Sequence, residues 1–67
     1  MKRVKVASSC ILSIGYDIKK YLLEVVFISG NSYDFLNVPE IVYKRFLAAA
    51  SKGDFFGESI VNKYEMY

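Results

Sequence analysis

Tyr21-Leu22-Leu23-Glu24-Val25-Val26-Phe27-Ile28 is the stretch that decides how this chain folds. Leu23, Val25 and Phe27 recur at a period of two while Glu24 marks the opposite side, the pattern of a strand with one face on a core. The opposite side also carries Leu22, Val26 and Ile28. A strand apolar on both sides belongs in the middle of a sheet, with its second face covered by other protein, such as another protomer. The run is far shorter than the roughly 20 apolar residues a membrane-crossing helix needs.

The neighbouring residues extend this strand into a meander. Gly30-Asn31 provides the positive backbone angles of a tight hairpin, and Tyr33-Asp34-Phe35 resumes the alternation. On the other flank, Ser9 to Ile14 is apolar and β-branched and reads as a strand, followed by a loop from Gly15 to Lys20 in which Asp17 suits an Asx-type turn. Beyond the meander, Pro39 suits the first helical position because its missing N–H would be unpaired there, and Glu40 complements the helix dipole. Val42, Tyr43, Phe46, Leu47 and Ala49 or Ala50 recur every three to four residues as a stripe that can lie on the sheet. Gly53 stands where a helix C-cap favours a left-handed residue, so the helix is expected to end near Ser51 or Lys52. Asp54-Phe55-Phe56-Gly57 reads as an aromatic connector, and Glu58 to Tyr64, with Ile60 and Tyr64 four apart, as a second brief helix. The expected fold is α+β: a three-stranded antiparallel β-meander followed by an α-helix packed on one face and a short C-terminal helix, in the order β-β-β-α-α.

Composition sets the limits. The chain has 67 residues, 54% of them hydrophobic, which excludes a two-domain enzyme and a disordered tail. One domain over 1–67 is expected, with a core from about 8 to 64 and residues 1–7 as a mobile basic arm. Histidine is absent and Cys10 is alone, so neither an internal disulfide nor a zinc cluster can support so small a core. Self-association into a homo-oligomer is the expected source of extra stability. The apolar positions after Met1-Lys2-Arg3-Val4-Lys5 are broken by Ser8, Ser9, Ser13 and Asp17, unlike a signal peptide. With its unpaired cysteine, the chain is expected to be cytoplasmic and free of membranes.

The residues resemble a known family. Ser8-Ser9, Ile14-Gly15-Tyr16-Asp17, Leu23-x-Val25-x-Phe27, Gly30, Tyr33-x-Phe35, Val38-Pro39-x-x-Val42-Tyr43, Ala50-Ser51-x-Gly53, Phe55-Phe56, Ile60 and Tyr64 together resemble the KTSC domain family. That small module is named for its place at the C-terminus of some lysyl-tRNA synthetases and also occurs as a stand-alone bacterial protein. The resemblance implies a module of unknown function, for which RNA binding is suggested by the tRNA-charging enzyme. Two departures bear on this. The family's Tyr-x-Tyr is Tyr33-Asp34-Phe35 here, which keeps two rings and loses a hydroxyl. Where relatives carry Asn before the last helix, Arg after its Ile and a basic tail, this chain has Gly57, Val61 and Glu65-Met66-Tyr67, which removes a strip suited to phosphates.

Three functional readings remain open. The first is a non-catalytic RNA or nucleic-acid module, with Tyr33 and Phe35 stacking on bases and Lys19, Lys20, Lys44 and Arg45 following phosphates. Against it, strand aromatics generally face a core, and the net charge is only +2. The basic groups are nevertheless concentrated in the N-terminal third. The second is a protein-interaction or inhibitor module that docks, or self-associates, through Leu22, Val26 and Ile28. The third is a nucleotide-sequestering oligomer with its site between protomers. Catalysis is not expected, because Ser8-Ser9-Cys10 has no histidine to act as a base and no motif places a Lys or carboxylate beside it. No cofactor or metal is expected.

Overall fold

The alternation around Leu23 forms the centre of a sheet. In the computed structural model, which describes residues 1–67, strands β1 (Lys2–Lys5), β2 (Ile11–Asp17), β3 (Leu22–Phe27) and β4 (Ser32–Phe35) are antiparallel and lie in that order across the sheet. Helix α1 (Glu40–Ala48) follows, then the one-turn helix α2 (Lys52–Phe55), which runs directly into a π-helical turn at Phe56–Ile60. The fold is α+β as expected, but the sheet has four strands rather than three. Residues 2–5, read from the sequence as part of an arm, form an edge strand whose Lys2 and Lys5 pair opposite Tyr16 and Ser13. Lysines on an outer strand discourage further edge pairing, which is why this segment looks like an arm while it completes the sheet.

Strand β2 is longer than expected, because Gly15 and Tyr16 stay extended and the turn falls at residues 18–21. Asp17 closes that turn as anticipated: its carboxylate accepts from the Lys19 N–H at 3.0 Å and its carbonyl from the Lys20 N–H at 3.2 Å. A bulge between Ile11 and Ser13 shifts the register of β2 against β3. In a regular strand Ile11 and Ile14 would face opposite ways, and the extra residue brings both into the core.

The helices cover the face bearing Leu23 and Val25, both fully buried, against Phe46 of α1 and Ile60. Pro39 is the N-cap of α1 rather than its first residue, so the helix starts one residue later than expected, with the Pro39 carbonyl accepting from the Val42 N–H at 3.0 Å. The C-terminal end of α1 differs more. The helix stops at Ala48, Ala49 turns extended, and Ser51 starts a new turn by accepting from the Asp54 N–H at 3.3 Å. The serine cap competes successfully with the helix propensity of the alanines. Gly53 is therefore no C-cap; it lies within α2, where a Cβ would stand 3.0 Å from the Cys10 sulfur. The supposed aromatic connector is helical for the same reason, since α2 begins at Lys52.

The uncovered face is less apolar than its β3 residues suggest. Register aligns Arg3, Gly15, Glu24 and Asp34 in a row across all four strands. Arg3 reaches over Gly15 to grip Glu24 with two hydrogen bonds of 2.5 and 3.2 Å, and these raise its pKa further above its ordinary value. Leu22 and Val26 are half-buried on either side of Glu24, and Ile28 lies exposed in the turn beyond β3. Of the three residues expected to form one docking face, Leu22 and Val26 thus flank Glu24 within β3 and Ile28 lies outside the strand.

Candidate interaction groove

At the end of the sheet near Gly30, strands and helical layer enclose an apolar groove of ≈ 440 Å³. Phe27 at the end of β3, Tyr33 and Phe35 on β4, and Phe56 and Val61 from the helical layer line it, with Ser29 and Asn31 at the turn. Alternation places the strand rings: Val25 pairs with Tyr33 and Leu23 with Phe35, so both β4 rings share the helix-covered face with Phe27. Phe56 closes the cluster edge-on to Phe27 at 5.1 Å and to Phe35 at 5.6 Å, and Phe27 meets Tyr33 in the same way at 5.7 Å. Edge-to-face contacts hold the rings in fixed orientations, so the groove is shaped before anything enters it.

The chain itself partly occupies the mouth of this groove. Residues 65–67 run antiparallel beside β4, with Met66 opposite Phe35 and lining the groove. The Glu65 carbonyl accepts from the Leu36 N–H and the Asp34 carbonyl from the Tyr67 N–H, both at 2.8 Å. Met66 remains 55% exposed and Tyr67 86%, so backbone bonds rather than side-chain burial hold this segment.

A second, polar cleft of ≈ 380 Å³ brings Ser8-Ser9-Cys10 beside Ala50 to Asp54. Several of its groups are committed to structure. The Ser8 hydroxyl accepts from the Cys10 and Ile11 N–H groups at 3.3 and 3.2 Å, and the Lys52 ammonium donates to the Ala49 carbonyl at 2.6 Å. Lys52 and Asp54 line the same cleft, but neither is hydrogen-bonded to the side chain of Ser8, Ser9 or Cys10.

The expected nucleic-acid residues are dispersed. Phe35 is only 1% exposed, so it offers no face to a base, whereas Tyr33 is 37% exposed at the groove rim. Lys19 and Lys20 lie in the turn before Leu22, at the far end of β3 from the groove; Leu22 itself is about 10 Å from the Val25–Tyr33 pair at 3.3 Å per residue. Lys44 and Arg45 are exposed on α1, with Lys44 4.0 Å from Glu40. Lys2, opposite Tyr16, lies at the same end of the sheet as the Lys19-Lys20 turn. The sequence reading missed Phe56, Val61 and Met66 as groove residues. The adjacent rings Phe55 and Phe56 were the available signal: Phe55 stacks on Phe46 at 5.3 Å while Phe56 turns to the groove.

Comparison with known proteins agrees with this fold. The KTSC domain family profile matches residues 7–64. The chain is 39% identical over 67 residues to an uncharacterised protein of Stutzerimonas stutzeri (strain A1501), covering 100% of this chain and 94% of that one. It also matches the crystal structure of a KTSC domain protein from Yersinia pestis, with a TM-score of 0.93 and 42% identity over 98% of this chain and 93% of the other. No helix here is long and apolar enough to cross a membrane.

Proposed function

The chain belongs to the KTSC domain family, and we propose that it acts as a non-catalytic binding module whose aromatic groove receives apolar side chains of a protein segment. The carrying observation is the groove itself: six of its eight lining residues are hydrophobic, and its rings are already packed edge to face. Pockets of this size and lining suit one or two large side chains better than a charged ligand. The uncovered sheet face, crossed by the Arg3–Glu24 pair, supports docking or self-association less well.

Nucleic-acid binding is the second reading. It draws on the basic groups that Lys2, Lys19 and Lys20 bring to one end of the sheet, and it would be an electrostatic contact with little stacking. A peptide library displayed against the folded protein, alongside a labelled single-stranded RNA, separates the two. Selected peptides rich in Phe, Met or Leu that lose binding to a Val61→Asp variant support the groove. RNA binding that falls steeply with salt and disappears in a Lys19→Ala, Lys20→Ala variant, without peptide selection, overturns it.

A further inference from the structure

We propose that the outer edge of β4 and the groove beneath it form one strand-addition site for an extended peptide, at which Glu65–Tyr67 is a replaceable internal occupant. The inference rests on the groove reading above and adds a backbone template to it. Two observations carry it. The edge already accepts a strand, because residues 65–67 pair there through two backbone bonds. That strand fills the site incompletely, because Met66, the residue it places at the groove, remains 55% exposed.

The parity of the ladder defines what fits. Asp34 and Leu36 point backbone groups outward to residues 65–67, so Ser32, two residues before Asp34, points its own outward as well. Residues 65–67 pair with Leu36 and Asp34. An incoming antiparallel peptide that also reached Ser32 would add backbone bonds to those two. Its residue in the place of Met66, and the next but one toward Tyr33, would both face the groove. The ligand is therefore an extended segment with large apolar side chains at alternate positions, bound by backbone pairing with pockets for alternate residues.

The test uses the full chain, labelled with nitrogen-15 and titrated by NMR with a short acetylated peptide alternating threonine with phenylalanine or methionine. Saturable shifts are expected at Ser32, Asp34 and Phe56. Methylating the peptide amide that pairs with the Asp34 carbonyl should weaken binding roughly tenfold, while methylating the adjacent, outward amide changes it less than about twofold. Tyr67→Pro, which removes the internal donor at an exposed position, should tighten binding about threefold to tenfold. Equal affinity of both methylated peptides, with shifts still at Phe27 and Phe56, would overturn strand addition and leave the groove reading standing. Absence of any shift would overturn both. A concentration-dependent dimer that excludes the peptide would assign the edge to a second copy and overturn the proposal.

Discussion

The Tyr16 hydroxyl donates to the Val38 carbonyl oxygen at 2.5 Å, tying β2 to the residue two before α1. The same ring lies flat on Tyr43 at 4.8 Å, with 11° between the planes. Gly15-Tyr16, which resembled a loop, thus belongs to a strand that latches the helix onto the sheet. Val38 is fully buried, so its carbonyl has no access to water if the phenol is lost.

Tyr16→Phe should therefore cost about 1–3 kcal/mol, the penalty of an unpaired buried acceptor. Urea denaturation of the two proteins measures it. Burial first, and then the Glu40 carboxylate, raises the Tyr16 pKa above its ordinary 10.0. A raised folded pKa means that the native state holds the proton more tightly. Its contribution is complete below about pH 10 and is lost as pH climbs through the folded value. The alkaline loss of stability should accordingly be shallower in Tyr16→Phe than in the parent.

Gly30→Ala should destabilise the protein by roughly 1–2 kcal/mol even though a Cβ would meet nothing within 4 Å. The cost comes from the backbone, since Gly30 has a φ of +102° in the turn closed by its N–H to the Phe27 carbonyl at 2.9 Å. Thermal melts of Gly30→Ala and Gly57→Ala make the comparison: Gly57 also has open space but no positive φ, and its replacement should be tolerated.

Phe35→Ala and Tyr33→Ala should part company. Phe35 is fully enclosed, and truncation of such a ring costs about 3–5 kcal/mol. At roughly 0.05–0.15 kcal/mol per residue, that is much of the stability of so small a domain. Circular dichroism should show Phe35→Ala largely unfolded and Tyr33→Ala folded, with the latter weakened in groove binding.

Ser51→Ala should cost about 1 kcal/mol through loss of the α2 cap to the Asp54 N–H. Hydrogen exchange should quicken first in residues 52–56, and the groove should loosen because Phe56 follows directly from that turn. A variant with unchanged exchange there would show that the helical turn does not depend on its cap.

Much of the fold was legible at the level of single segments. Leu23, Val25 and Phe27 announced their strand, Asp17 its turn, Gly30 its hairpin and Pro39 the start of the helix, because alternation, turn chemistry and capping act within a few residues. The segments that misled are those settled by competition. Lys2–Lys5 looks like a solvated arm until β2 offers it an edge, and the alanines after Leu47 look helical until Ser51 caps a new turn.

The sequence by itself determined that this is a small α+β domain of the KTSC kind, with a central strand and a proline-started helix. Only the tertiary structure decided that Phe35 is core while Phe56 shapes a groove, and that Met66 lies beside β4. Local pattern states which residues avoid water, but which of them meet depends on register, and here a bulge in β2 shifts the register against β3. The groove is walled by rings from β3, β4 and the π-helical turn, segments that only the fold brings together.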